Sequence, residues 1–262
     1  MPEGDVLLRA ARRLTAALAD EPLVRGELRW PAYGGLDLAG LRSLGTVSYG
    51  KHLLTRFDDG STLHTHLRMD GTWRVEHAPG LRSRDRDPNV RAVLATTRWT
   101  CRGYLLGMVD VVRTRDERDL IGHLGPHLLA DDAEEHVPAA AAVLVTRAPA
   151  TVGAALLDQT VAAGIGTIWM AETLFRHRIN PWRPVTDLTV DEATALLTTA
   201  SRLMLTSANS PAAPGTRGSV PIAAHGREGR PCPRCGTPIA VGRVGTPPQD
   251  RPAFYCPACQ PR

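Results

Sequence analysis

Lysine is all but missing from this chain. Of its 31 Lys plus Arg residues only Lys51 is lysine, so wherever a positive charge alone is wanted the chain uses arginine. Arginine supplies charge, donors and an aliphatic stem on a solvated surface, but it does not replace a compact point charge or a titratable amine. Lys51, in "SYGKHLL" (Ser48 to Leu54), is either a chance survivor or a position that requires an ammonium. Long apolar runs are missing too: the longest, such as Val137 to Val145, fall far below the ~20 residues of a membrane helix. No basic stretch followed by an apolar one opens the chain, so no membrane partner and a cytoplasmic location are expected. Before Cys232 the only cysteine is Cys101, which excludes a disulfide framework there and reads as a small buried hydrophobe. There is no internal repeat, and no HExxH-type cluster supports a zinc metallohydrolase.

What is present fits a soluble globular protein of about two domains, at ~100 to 200 residues each. Hydrophobic residues make up 43% and charged residues 22%, with a net charge of +4. From Ser201 to Arg262 there are eight Arg against one Glu and one Asp, which concentrates basic surface in the C-terminal part. That distribution makes nucleic acid the leading partner class.

Apolar positions Leu7, Leu8, Ala11, Leu14, Ala17 and Leu18 recur with helical spacing, so Gly4 to about Ala19 reads as an amphipathic helix with Asp5 as a first-turn acid. From Leu28 to about Thr114 short β-branched and aromatic runs alternate with "DDG", "DG" and "DPN" turns, which predicts a β-rich domain. Beyond "HLGPHLLADDAEEH" the texture is helical: "VGAALLDQTVAAG" stops at Gly164, "TIWMAETLFRHRI" ends at Asn180-Pro181, and "TVDE" (Thr189 to Glu192) has capping-box spacing. The Pro/Gly-rich "NSPAAPGTRGSVP" reads as a linker into the cysteine module.

That module places Cys232 and Cys235 20 residues before Cys256 and Cys259, a CxxC-x20-CxxC pattern. Two such knuckles close a tetrahedral zinc site with no position left for catalysis, although a redox dithiol reading remains open. Between them "TPIAVGRV" and "RPAFYC" read as two strands of a hairpin carrying Arg243 and Arg251, either a phosphate contact or a purely structural or protein-binding ribbon. At the other end stands "MPEGD". With Met1 removed, Pro2 would present a secondary amine titrating near ~7.7 to 8.0, nucleophilic enough at neutral pH to attack a sugar C1′. Glu3 beside it is a candidate general acid or base, while proline at position 2 is also common without function.

Together these blocks resemble the bifunctional DNA glycosylases of the formamidopyrimidine/endonuclease VIII (Fpg/Nei) family, in family order over nearly the whole chain. Pro2-Glu3 matches the family start, and "MPEGD" is similar to the Nei-like branch. "GKHL" matches the hairpin with the family lysine, Leu156 to Pro181 the helix-two-turns-helix segment, and Gly226 to Gly236 with Arg251 to Gln260 the zinc finger. The resemblance implies an α+β multidomain fold. Residues 1–120 would form an N-terminal helix plus β-sandwich domain, 121–215 a helical helix-two-turns-helix domain, and 216–262 a zinc-ribbon β-hairpin finger holding one structural zinc. It implies Pro2 as Schiff-base nucleophile, Glu3 as acid/base, and Lys51 and Arg251 on phosphates. It also implies Arg68-Met69 as the wedge at a hairpin tip, and Gly166 and Thr167 on the backbone of DNA. Met69 could instead be ordinary core. The implied reaction is excision of an oxidised base, a pyrimidine by branch, followed by β- and δ-elimination, by a monomer acting on damaged DNA in the bacterial cytosol.

Two positions depart from the family pattern. Thr167 stands where the family has Asn after its "G-[IL]-G" turn, giving one donor hydrogen instead of two. The region "RGYLLGMVDVV" lacks the loop that supplies Arg and Phe void-fillers in the 8-oxoguanine branch. These departures motivate a second expectation, a catalytically silent relative that recognises damage on the same scaffold.

Overall fold

The computed structural model of the protein describes residues 2–19, 21–77, 86–148, 150–213 and 218–262. The chain divides into two compact units, Met1–His123 with Pro211–Gly218, and Leu124–Ser210 with Ser219–Arg262. The helices and the cysteine module thus share the second unit. The boundary expected at 215/216, and part of the expected linker, lie outside the described residues.

In the first unit, helix α1 (Gly4–Leu18) is followed by β1 (Arg25–Leu28), β2 (Ser43–Tyr49), β3 (His52–Phe57), β4 (Ser61–His66), β5 (Thr72–His77), β6 (Val90–Ala95), β7 (Trp99–Tyr104) and β8 (Met108–Arg113), and then by the short helix α2 (Arg118–Ile121). The strands build two four-stranded sheets, ordered β1-β6-β7-β5 and β2-β3-β4-β8, with every pairing antiparallel. One apolar cluster joins Leu28, Trp73, Leu94 and Cys101 of the first sheet to Leu53, Phe57, Leu63 and Val109 of the second, and adds Val6, Leu7, Ala11, Leu14, Ala17 and Leu18 of α1. This is the expected helix plus β-sandwich, with the apolar face of α1 built into the shared core while Arg12 and Ala16 stay exposed. Thr15 locks the helix in register: its hydroxyl donates to the Thr46 carbonyl at 3.0 Å and accepts from the Thr46 amide at 2.8 Å.

The segment Leu67–Gly71 corrects the expectation of a hairpin tip. β4 and β5 belong to different sheets, so the turn carries the chain across the sandwich instead of folding it back on its neighbour. Gly71 is required there, because a Cβ would stand 2.4 Å from the Leu67 carbonyl oxygen, to which the Gly71 amide donates at 2.9 Å.

The second unit contains α3 (Ala133–Val145), α4 (Val152–Leu157), α5 (Thr167–His177), α6 (Val190–Asn209), and the hairpin β9 (Ala240–Val244) with β10 (Arg251–Tyr255). Thr189 and Glu192 form the expected capping box at the start of α6. Helix α4 stops at Leu157, well short of the expected Gly164. The cause is side-chain competition with the backbone: Asp158 accepts from the Thr160 amide at 2.9 Å, and Gln159 bonds the Leu157 and Ile165 carbonyls and the Gly164 amide at 2.9, 2.9 and 3.0 Å. These bonds build the two turns that deliver the chain to α5.

Leu14 is 1% exposed in the shared core of helix and sheets. Leu14→Ala is expected to lower stability by roughly 2 to 5 kcal/mol in urea or thermal denaturation, and a loss below about 1 kcal/mol would mean that α1 is only loosely docked.

Candidate functional site

Pro2 and Glu3 are both buried at the head of α1. The Glu3 carbonyl accepts the Val6 and Leu7 amides at 2.9 and 3.2 Å, which fixes the backbone at the helix start. Its side chain makes no capping bond and is 1% exposed. A carboxylate removed from water at the mouth of a helix is a chemical feature and not a surface ornament.

Lys51 lies in the two-residue turn between β2 and β3, after Gly50 at φ 55°. Beside it stands a group of histidines that the sequence analysis left unremarked. His64 Nδ1 lies 2.8 Å from Asp110 Oδ2, and His52 Nδ1 lies 2.8 Å from His64 Nε2. His52 faces His66 across the strands, with rings 4.9 Å apart edge to face. The Arg68 amide donates to His66 Nδ1 at 2.9 Å. Burial first, and then repulsion from Lys51 and from His66, His64 and His123 when these carry charge, push His52 down to about 3. Burial and the charges of His64, Lys51 and Arg68 push His66 down to about 4. Both rings are therefore neutral over the physiological range. The available signal was three of the nine histidines within fifteen positions of two successive strands.

The turn after β4 presents Arg68 at φ 49° and Met69, which is 61% exposed and thus not core. The three-residue connection Leu105–Gly107 between β7 and β8 lies against it: a Cβ on Gly107 would stand 2.4 Å from Arg68 Cγ. Leu105 there is 42% exposed at φ 46°. A bulky residue held in the left-handed region and turned outward marks a position kept for something other than packing. Sequence reasoning noted the short connection but not this leucine.

In the second unit, Gly164 has φ 116°, Gly166 caps α5, and Thr167 opens that helix, 9% exposed. Thr167 Oγ1 lies 3.5 Å from His225 Nε2. The fully buried Glu172 accepts the amides of Ala223, Ala224 and His225 at 3.0, 2.9 and 3.0 Å, and so ties the approach to the cysteine module onto α5. On β10, Arg251 is exposed, while Arg243 on β9 is paired with Asp250.

The sulfurs of Cys232, Cys235, Cys256 and Cys259 all lie within 4.8 Å of one another. A tetrahedral site with ~2.3 Å metal–sulfur bonds puts its sulfurs ~3.8 Å apart, and the separations here include 3.5 and 4.0 Å. Bonds from Thr237, and then from the neighbouring thiols, bring Cys235 down to about 6. Desolvation and the other three sulfurs push Cys259 up to about 12. Four thiolates this close cannot all ionise alone, and a central cation is what lets them. The soft donor set fits a metal ion.

Residues 1–121 match the formamidopyrimidine-DNA glycosylase N-terminal domain, and residues 124–213 match the H2TH domain of the same enzymes. The chain belongs to the formamidopyrimidine-DNA glycosylase family. Within it, the chain is 42% identical over 263 residues to a probable endonuclease 8 2 of Streptomyces coelicolor, covering 99% of this chain and 94% of that protein. It is 35% identical to the DNA-(apurinic or apyrimidinic site) lyase Nei2 of Mycolicibacterium smegmatis, over 99% of each. The fold is shared with Lactococcus lactis formamidopyrimidine-DNA glycosylase non-covalently bound to DNA containing an AP site, at a TM-score of 0.82 and 20% identity, over 99% of this chain and 100% of that one. No helix among the described residues is long and apolar enough to cross a membrane.

The neutral histidines give a test of sign. Unfolded histidines titrate near ~6.5, so from there down to about 4 the unfolded chain binds protons that His52 and His66 refuse, and stability falls with pH. Urea unfolding is expected to show lower stability at about pH 5 than at about pH 7, with a smaller difference in the His52→Asn/His66→Asn double variant. Equal pH dependence in the two proteins would show that these rings titrate in the fold as they do in the unfolded chain.

Proposed function

We propose that this protein is a bifunctional DNA glycosylase and AP lyase of base excision repair that removes oxidised bases, chiefly pyrimidines, through a Schiff base on Pro2. The observation that carries the reading is the buried Pro2-Glu3 pair held at the head of a core-packed helix in the family's N-terminal domain. Removal of Met1 frees a secondary amine that is partly unprotonated at neutral pH. Its lone pair attacks C1′ of the damaged nucleoside, the bond from C1′ to the base breaks, and the base leaves with a proton. Glu3 protonates the sugar ring oxygen as the ring opens and the iminium forms. Loss of a C2′ proton then expels the 3′ phosphate, and a second elimination expels the 5′ phosphate. Water releases the sugar remnant and regenerates Pro2.

The other residues divide into holding and wedging. Lys51 places a compact ammonium against the phosphate of the lesion, where a planar guanidinium would demand bidentate geometry. A target base must leave the stack to be reached, and exposed Met69 with Arg68 is the pair suited to fill the gap, with Leu105 beside it. In the second unit, the amide of Gly166, the Thr167 hydroxyl and Arg251 are the phosphate donors. Cys232, Cys235, Cys256 and Cys259 hold one structural Zn2+, which stabilises the hairpin carrying Arg251 and takes no part in the chemistry. The protein acts as a monomer.

Borohydride trapping on a duplex with an abasic site is expected to give a covalent adduct that is lost in Pro2→Gly. Glu3→Gln is expected to bind the same DNA while nicking it at least about 100-fold more slowly. An absence of adduct from protein lacking Met1 would favour a silent damage-binding relative. Duplexes carrying thymine glycol, dihydrouracil and 8-oxoguanine then rank the substrates, and preference for 8-oxoguanine would overturn the pyrimidine assignment. Cys256→Ser is expected to drop bound zinc from one equivalent per chain and to weaken DNA binding at least several-fold, whereas unchanged affinity without metal would make the finger dispensable.

A further inference from the structure

Three strands of one sheet place Asp110 (β8), His64 (β4) and His52 (β3) in a continuous hydrogen-bonded line that ends beside the Lys51 turn. Hydrogen positions along it follow from chemistry. An ionised carboxylate only accepts, so His64 Nδ1 carries the hydrogen aimed at Asp110 Oδ2, 2.8 Å away. With a single hydrogen on His64, its lone pair is on Nε2, and His52 Nδ1, 2.8 Å off, donates to it. His52 is left with a lone pair on Nε2. His64, at 1% exposure, is sealed between its two partners, while the Asp110 side chain is 34% exposed.

We propose that Asp110, His64 and His52 form a proton relay that serves the Lys51 turn, taking up one proton from solvent when a phosphate of the substrate occupies that turn. The proton binds His52 Nε2, the hydrogen on His52 Nδ1 passes to His64 Nε2, and the positive charge comes to rest on His64 against the Asp110 carboxylate. No bond other than N–H is made or broken. The visible result at the turn is that His52 Nε2 changes from acceptor to donor. The proposal rests on the reading of Lys51 as a phosphate-binding residue and goes beyond it by making that binding proton-linked.

The charges around the line set the balance. Lys51 in the turn, His66 on β4, Arg68 in the following turn and His123 all oppose a further positive charge, and Asp110 is the carboxylate that favours one. In the free protein burial, and after it the opposing groups, keep His52 neutral. An anion held at the turn favours the charged form of the relay, so binding of phosphate and uptake of the proton support each other. All of these groups are in the first unit.

The test uses the full-length Glu3→Gln protein, so that binding is read without excision. Its affinity for a duplex with a tetrahydrofuran abasic analogue would be followed by fluorescence anisotropy at constant ionic strength from about pH 5.5 to about 8.5. Affinity is expected to rise toward tenfold per pH unit as pH falls through the neutral range, the slope for uptake of about one proton. Adding His64→Phe should flatten the slope, and so should adding Asp110→Asn, which keeps the size of the side chain and guards against a packing artefact. A slope retained in the folded Asp110→Asn protein, or pH-independent binding in the parent, would overturn the relay. A slope abolished by His66→Asn alone would move the proton to the wrong histidine and overturn it equally. Borohydride trapping by the protein with Glu3 intact is run beside these titrations. Its failure would count against the glycosylase reading, and the slopes would still decide the relay.

Discussion

The burial of the apolar face and first turn of α1 against the strands of the sandwich is the constraint on which the rest of the first unit depends. A helix lying on a surface frays at its first turn, because its leading amides have no intrahelical partners. Here Val6 and Leu7 are already in the core, and the Glu3 carbonyl takes both of their amides. Fraying would expose apolar side chains and orphan buried backbone groups together, so the positions of residues 2 and 3 are held by the core behind them. Chain termini are ordinarily the least ordered part of a domain. The first turn of α1 is anchored in this way, and Thr15 bonded twice to Thr46 supplies the matching anchor further along the same helix.

In the second unit the same problem is solved with buried polar groups. A hairpin of two five-residue strands is marginal by itself in water. The one here is attached through Gln260, fully buried, whose amide nitrogen donates to the Ile179 carbonyl at 2.7 Å and whose oxygen accepts the Cys256 amide at 2.9 Å. Asn180 donates back to the Gln260 carbonyl at 2.8 Å. With Glu172 holding residues 223 to 225, both ends of the cysteine module are fastened to α5 and the residues just after it. Removing any one of these partners would strand a buried donor or acceptor, which costs more than the bond itself contributes. The four sulfurs therefore organise a module whose entry and exit are already set, and a metal there stiffens Arg251 and the start of α5 as one assembly.

Much of this was legible in the sequence because it is local. Periodicity gives α1, the Thr189 to Glu192 spacing gives the start of α6, the Gly50-Lys51 turn lies in a hairpin, and two CxxC knuckles converge. The illegible parts share one cause, side chains acting across the chain. The end of α4 depends on Gln159 outbidding backbone amides, and composition favours continued helix there. The Leu67–Gly71 turn looks like a hairpin tip from its Asp-Gly signal, yet sheet membership sends it across the sandwich. The outward setting of Leu105 depends on a positive φ that no leucine advertises. The histidine line needs strand register: His64 meets Asp110 because β4 and β8 pair at that point, and a slip of one residue would turn them to opposite faces.

The single lysine can now be placed in electrostatic terms. On the reading proposed for Lys51, a turn that holds a phosphate gains from more positive charge, and the chain has arginine in abundance, yet the positions beside Lys51 are filled by imidazoles kept neutral first by burial and then by neighbouring like charges. Fixed cations packed together repel one another whether or not an anion is present, a standing cost to the folded state. Neutral rings carry no such cost in the free protein and remain able to become cationic when an anion arrives. On the same reading, lysine contributes one compact charge at the point of contact, and the histidines hold further charge in reserve. On this division the scarcity of lysine and the local abundance of histidine answer the same physical requirement.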